Sequence, residues 1–178
     1  MRRRYYCVKQ HDITDCAAAS IATICLQYGK EVSIAKIREI AGTDRFGTTA
    51  YGVVKAAEKL GFEAKAVRST TKEAIFEKIP LPCIAHVLID GKLFHYVVIH
   101  EIRKERIVIA DPAKGIVKME PKEFFKIWTG ILILLVPTER FKKGKQEGVL
   151  KKFFKLLSPQ KSLILNIFAV SIVYTLLG

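Results

Sequence analysis

The chain has too few cysteines for a disulfide framework. Its four, Cys7, Cys16, Cys25 and Cys83, are scattered through 178 residues. Disulfide-stapled domains are small and cysteine-dense, so free thiols in a reducing compartment are the better reading. No apolar run follows the basic start "MRRRYYCVKQHD", which excludes a secretory signal. Internal repeats and low-complexity tracts are also missing, and the length suits one compact domain with some chain to spare. Acidic residues are short: 17 stand against 30 Lys and Arg, giving a formal net charge of +13 in a chain that is half apolar. That pairing fits either a nucleic-acid binder or a protein working against an anionic membrane surface. A nucleic-acid binder needs its basic residues on the globular part, interleaved with stacking aromatics. Here they concentrate at the two ends, and nucleic acid is not an expected partner.

What the chain does have begins at its C-terminal end. From Ser162 the run "SLILNIFAVSIVYTLLG" carries no charge. Leu163, Ile164, Leu165, Ile167, Phe168, Val170, Ile172 and Val173 leave it no polar face, unlike the core-facing helix of a globular domain. The expectation is the start of a first transmembrane helix, a little shorter than the roughly 20 residues of a full span. Lys142, Lys143, Lys145, Lys151, Lys152, Lys155 and Lys161 precede it, and flanking lysines hold their side in the cytoplasm. "KKFFKLL" reads as a basic elbow lying along the membrane surface. Three segments follow: a globular domain over 1–137, a basic linker and elbow over 138–161, and the start of a membrane helix over 162–178.

Upstream of Pro137 the pattern is mixed. Cys16 to Tyr28 reads as a helix stopped at Gly29. "SIAKIREIAG" is a short helix capped by Ser33, and "AYGVVKAAEKLG" repeats that form. A strand "FEAKAV" and a helix around Thr71–Ile79 precede the Pro80–Pro82 break. The period then changes to two. "CIAHVLI" and "LFHYVVIHEI" flank Asp90-Gly91, a hairpin signal. "RIVIADP" and "GIVKM" continue the sheet, "PKEFFKIW" makes a helical turn, and "ILILLV" is a final buried strand. Helices first and an antiparallel sheet after give an α+β fold.

If Thr14 or Asp15 caps the first helix, Cys16 lies in its first turn. Unpaired N–H groups and the helix dipole favour a thiolate there. Cys25 reads instead as a buried small apolar residue. A cysteine nucleophile needs a base, and the base an orienting group. His95 lies on a strand with Val97 and Ile99, and Asp111 ends the next strand. A two-residue turn at Lys104-Glu105 would point the two apart. A five-residue turn over Ile102–Arg106 would set Asp111 opposite Val97, diagonal to His95 and within reach, and is the expectation. His86 is a rival, because a two-residue Asp90-Gly91 turn would pair it directly with His95, but no aspartate follows it at strand spacing. His11 and His100 rank lower. A zinc site from Cys7, His11 and Cys16 has the wrong spacing and lacks a fourth ligand, so no metal is expected. Gln10 completes the set: acyl transfer develops an oxyanion, which a side-chain amide and the Cys16 backbone N–H would stabilise.

Gln-x5-Cys at a helix start, with a later His on a strand and Asp on the next, resembles papain-like cysteine peptidases. It is more closely similar to the N-terminal peptidase domain of bacteriocin-exporting ABC transporters, the double-glycine leader peptidases. The stretches that carry the resemblance are "QHDITDCAAAS", "IREIAGTDRFGTTAYGVVKAAEKLGFEAKAV", "LPCIAHVLIDGKLFHYVVI", "IADPAKG" and "IWTG". They run in the family's order across nearly everything from Cys7 to Pro137. The resemblance implies a papain-like fold, with Cys16 as nucleophile, His95 as base, Asp111 as orienter and Gln10 as oxyanion donor. Ala17 departs from the glycine that many members carry there. Some related transporters keep a degenerate domain without the cysteine that only docks substrate; that is the alternative, and Cys16 argues against it. The implied partners are a precursor peptide whose leader ends in Gly-Gly, the membrane and the rest of an ABC exporter, a homodimer at full length. The implied location is the cell membrane, with this domain on the cytoplasmic side. No cofactor is expected for the peptidase; ATP and magnesium belong to a nucleotide-binding domain outside this sequence. The leader is expected to bind as an amphipathic helix in an apolar groove, with "GTTAYG" (Gly47–Gly52) as a candidate wall of a channel too narrow for side chains.

Overall fold

The computed structural model describes residues 4–69, 71, 79–144 and 157–177. A 3-10 turn, Ile13–Asp15, leads into helix α1 (Cys16–Gln27), followed by α2 (Ile34–Ala41) and α3 (Ala50–Lys59). Ser33 and Thr49 cap α2 and α3, accepting from the N–H of Lys36 and of Gly52. Strands β1 (Phe62–Arg68), β2 (Cys83–Ile89), β3 (Leu93–Ile102), β4 (Ile107–Asp111) and β5 (Gly115–Met119) follow, then α4 (Pro121–Ile127) and β6 (Trp128–Pro137). The six strands form one antiparallel sheet in the order β1-β6-β2-β3-β4-β5. The expected helix around Thr71–Ile79 falls mostly outside the described residues.

The alternation of apolar residues gives the sheet two buried faces. Ile84, Tyr96, Val98 and Ile133 pack under α1, α2 and α3. Ala85, Val87, Val97, Ile99 and Leu132 pack against Phe124 and Trp128 at α4. α1 is the central helix, buried from Cys16 through Cys25. Its alanines explain how: side chains this small let a helix be covered on every side without a bulky apolar stripe. Gly52 serves α3 similarly, since a Cβ there would lie 2.4 Å from the Ala41 carbonyl oxygen.

Two loops set the registers that matter for function. The β2–β3 connection is a three-residue loop, not the two-residue turn expected. Asp90 and Gly91 both take left-handed conformations, and the N–H of Lys92 closes the turn on the Ile89 carbonyl at 3.1 Å. Ile89 therefore pairs with Leu93, and His86 pairs with Tyr96 instead of His95. The β3–β4 turn is also tighter than expected. Arg103 and Arg106 close it with reciprocal backbone hydrogen bonds, and Ile102 pairs with Ile107. A bulge between Ile99 and Glu101 then absorbs one residue, and Val98 pairs with Ala110. Asp111 arrives opposite Val97, the position that the longer turn would have given it.

The chain after β6 does not become a linker at residue 138. Thr138 donates from its N–H to the Gly61 carbonyl at 3.0 Å, and Gly144 exchanges backbone hydrogen bonds with Gly29 and Glu31. Phe141 packs its ring 4.6 Å from that of Phe62 and 6.1 Å from that of Tyr28. Residues through Gly144 thus belong to the first compact unit; of the remaining expected linker and elbow, residues 145–156 lie outside the described residues, and 157–161 belong to the second unit. Phe141→Ala is expected to cost the globular unit about 2 kcal/mol, read as a lower urea midpoint with an unchanged slope.

The second unit carries a 3-10 turn, Ser158–Gln160, and helix α5 (Lys161–Leu177). Ser158–Leu177, 20 residues that include an 18-residue window of mean hydropathy 1.5, is long and apolar enough to cross a membrane. At a rise of about 1.5 Å per residue it matches the roughly 30 Å hydrocarbon core, compatible with the start of a transmembrane region. The Thr175 hydroxyl donates to the Ser171 carbonyl at 2.8 Å, which satisfies it without water.

Candidate active site

The site is built where α1 meets the strands. Ala17, Ala18 and Ala19 are fully buried, and their size lets α1 lie close on β3 and β4. Ser20, one turn beyond Cys16, donates from Oγ to the Tyr96 carbonyl at 3.2 Å. That bond locks the helix to the residue next to His95. Its start is held in a way that differs from the expectation. Asp15 occupies the N-cap position of α1, but neither it nor Thr14 caps that helix. Asp12 caps the preceding 3-10 turn instead, accepting from the Thr14 N–H at 3.1 Å. Asp15 turns back and accepts from the N–H groups of Asp12 and His11, at 3.0 and 3.3 Å. Arg38 of α2 completes the knot by pairing with Asp15 and donating to the Thr14 hydroxyl. Burial opposes the Asp15 charge, but the bonds from Arg38, Asp12 and His11 outweigh it and hold the carboxyl below its ordinary range.

Cys16 is the first residue of α1 and 7 % exposed. It lines a cleft of about 630 Å³ together with Thr14, His86, Phe94, Tyr96 and the loop before α3. Gly47, Thr48, Thr49 and Ala50, the first four residues of the Gly47–Gly52 stretch expected as a channel wall, line the cleft. Ile13, Phe46, Leu93 and Phe94 are exposed apolar side chains that also line it.

His95 and Asp111 are both almost fully buried, and His95 Nε2 lies 2.9 Å from Asp111 Oδ1. A carboxylate only accepts, so Nε2 carries the proton and donates. That leaves Nδ1 as the ring nitrogen available to Cys16, the other side chain whose interaction favours the charged form of His95. Asp111 is held in turn by the Ala113 N–H at 2.8 Å. Burial penalises the imidazolium, yet the bonds to Asp111 and Cys16 more than offset it and raise His95 to about 9. The same logic runs in reverse for Asp111: burial works against its charge, and the bonds from His95 and Ala113 pull its carboxyl below the usual value. The structure thus brings Cys16, His95 and Asp111 into one chain of contacts.

Gln10 sits beside them through its backbone, whose N–H donates to the Pro112 carbonyl at 3.1 Å. Its side-chain Oε1 is buried without a hydrogen-bond partner, a costly state of the kind found at functional sites. The other candidates lie elsewhere. His100 Nε2 is 2.8 Å from the Tyr6 carbonyl oxygen and donates to it. Cys25 and Cys83 are buried thiols pushed up to about 12 by desolvation. Cys7 points its Sγ at the Asp111 carbonyl, 3.5 Å away, and burial raises it as well. His86 shares the cleft with Cys16 but bonds to Thr129, not to Asp111. The Asp15–Arg38 pair and Thr129 were not anticipated. An acidic residue just before the cysteine and the "IWTG" segment were the available signals, but their partners are distant in the chain.

Comparison with known proteins agrees with this geometry. The model of the Peptidase C39 family matches residues 4–140. The lactococcin-G-processing and transport ATP-binding protein LagD of Lactococcus lactis is 42 % identical over 164 residues, 92 % of this chain and 23 % of the relative. The transport/processing ATP-binding protein ComA of Streptococcus pneumoniae is 37 % identical over 172 residues, 95 % of this chain and 24 % of the relative. The chain therefore spans about a quarter of the length of these relatives. Among solved structures, the peptidase domain of Streptococcus ComA superposes with a TM-score of 0.70 at 35 % identity, over 76 % of this chain and 100 % of that one. A double-glycine-motif protease from an AMS/PCAT transporter, in complex with its leader peptide, gives 0.70 at 34 % identity, over 77 % of this chain and 94 % of that one. The antiparallel sheet with its helices is thus the papain-like architecture of those domains, and this chain belongs to the Peptidase C39 family of cysteine peptidases.

Proposed function

We propose that the globular unit cuts the leader from a precursor peptide after a Gly-Gly pair, as one part of an ABC exporter that carries the product across the membrane. The single observation that supports this most is that Cys16, which lines a cleft with exposed apolar side chains along it, interacts with His95, itself paired to Asp111 behind it. In this reading the Cys16 thiolate attacks the carbonyl carbon of the second glycine. The oxyanion that forms is held by the Gln10 amide and the Cys16 N–H. His95, as imidazolium, gives its Nδ1 proton to the leaving amine as the C–N bond breaks, leaving a thioester on Sγ. Neutral His95 then takes a proton from water, whose oxygen attacks the thioester carbon; the C–S bond breaks, freeing the leader as a carboxylic acid and restoring the Cys16 thiolate beside the imidazolium. Asp111 holds the imidazole in the required tautomer throughout.

Glycine at the junction suits a narrow cleft, with the Gly47–Ala50 backbone as a wall. Ile13, Phe46 and Phe94 offer the apolar surface that an amphipathic leader helix would cover. The membrane helix would continue from α5, with the peptidase on the cytoplasmic side and the full-length exporter a homodimer. ATP and magnesium would serve a nucleotide-binding domain, while the peptidase itself would need neither.

The test incubates the full 178-residue chain in detergent with synthetic peptides that differ only at the junction. Mass spectrometry should find one cut, directly after the second glycine. An Ala-Ala junction should be cut at least about a hundredfold more slowly, because each added methyl group meets the cleft wall. Equal cutting of both peptides would rule out the narrow-channel reading.

A further inference from the structure

We infer that His86 is an acceptor for substrate backbone: its Nε2 takes an N–H from the peptide bound in the cleft beside Cys16. The inference rests on the peptidase reading above and adds a residue that positions the substrate. It begins with one hydroxyl. Thr129 Oγ1 lies 3.0 Å from the His86 carbonyl oxygen and 2.9 Å from His86 Nδ1. A carbonyl can only accept, so the single hydroxyl proton goes to it. Nδ1 must then be the donor in the second bond, and in a neutral imidazole this makes Nε2 an unprotonated acceptor. The ring is kept neutral because burial, followed by the nearby His95, lowers its pKa. Nε2 has no hydrogen-bond partner among the described residues, and His86 is only partly buried. His86 lines the cleft that holds Cys16, with its ring nitrogen Nδ1 already engaged by Thr129.

The surroundings fix that ring in place. The ring stacks on Phe94 at 5.2 Å and leans on Tyr96 at 5.0 Å. Around it the β2–β6 ladder breaks: Ala85 pairs with Leu132 and Val87 with Trp128, so Thr129, Gly130 and Ile131 face His86 alone. Gly130 adopts a φ of +86°, and its carbonyl accepts from the Ser69 N–H at 2.8 Å. Trp128 Nε1 donates to the Ile131 carbonyl at 3.0 Å. Irregular pairing of this kind re-aims a side chain at the cost of ladder bonds. The need is chemical. A Gly-Gly junction has no side chains to grip, so whatever sets its register must act on backbone N–H and C=O groups.

The test measures peptide affinity in the full chain carrying Cys16→Ala, so that cleavage does not intervene. His86→Asn keeps an amide near the Nδ1 position, for Thr129, and removes the acceptor at Nε2. His86→Gln restores an acceptor near Nε2. Loss of one neutral hydrogen bond should weaken binding roughly three- to tenfold in His86→Asn, and His86→Gln should return to within about twofold. The decisive readout is a set of peptides N-methylated one at a time at the four residues before the cut. For one of them the His86→Asn penalty should vanish, because the N–H it depended on is already gone. Equal penalties across the whole set, or no penalty with the unmodified peptide, would overturn the inference. Failure of the unmutated chain to cut the unmodified peptide would sink the peptidase reading instead, so the two failures are distinguishable.

Discussion

Cys16→Ala should lower the cleavage rate by at least about a thousandfold while leaving leader affinity within about twofold of the original. The size of the loss follows from the lack of a substitute. Cys25 and Cys83 are buried thiols whose pKa lies near 12, so almost none of either is thiolate at neutral pH. Cys7 is also raised by burial and directs its sulfur at the Asp111 carbonyl rather than into the cleft. Binding should survive because Ile13, Phe46 and Phe94 do not depend on the sulfur. Packing should survive too, since α1 already carries alanine at 17, 18 and 19 in equally close quarters. Quantitative mass spectrometry reads the rate, and fluorescence anisotropy with a labelled leader reads the affinity. Undiminished cleavage by the variant would remove Cys16 from the mechanism. Loss of binding together with cleavage would favour a docking role for the same surface.

The parts of this site that could be read from the sequence are those set by local rules. Cys16 at a helix start, the caps at Ser33 and Thr49, and the alternation through β3 and β4 each depend on residues a few positions apart. The placement of Asp111 opposite Val97 was reachable for a partly accidental reason. A shorter turn and a bulge at His100 sum to the same register as the longer turn, and only the sum affects the site. The β2–β3 loop shows the opposite outcome. Asp-Gly does mark the turn, but Lys92 joins the loop, and one residue of slip exchanges His95 for Tyr96 opposite His86. Asp15 is a further case. Its type suits a helix cap, and what turns it away is Arg38 on α2, 23 positions along the chain. Phe141 could not be assigned to the core for the same reason, because its partners Phe62 and Tyr28 lie far upstream. Long-range side-chain competition decides these positions, and no local pattern encodes it.

The second large effect is expected at Asp111. Asp111→Asn should reduce kcat/KM by roughly a hundredfold or more, since an amide can present the wrong group to His95 and stabilises an imidazolium poorly. The pH profile separates this from a folding defect. In the unmodified protein His95 is raised to about 9, so the imidazolium that protonates the leaving amine should persist to that pH. Activity should therefore fall along an alkaline limb near pH 9. Removing the carboxylate takes away the largest favourable contribution to that elevation, and the limb should move down by about one unit or more. Stability has its own signature. The His95 contribution is complete below the ordinary imidazole value of 6.5 and is lost as pH rises through about 9. The Asp111 contribution runs the other way, present above the ordinary carboxylate value of 3.8 and lost as pH falls through its lowered pKa. The unmodified protein should thus exceed the Asn variant in stability most clearly between about pH 4 and 6.5, with the gap closing toward pH 9. Urea titrations at pH 5.5 and pH 9 measure both ends of that window. A gap that stays constant across it, with an alkaline limb unmoved by the substitution, would show that His95 and Asp111 do not titrate as a pair.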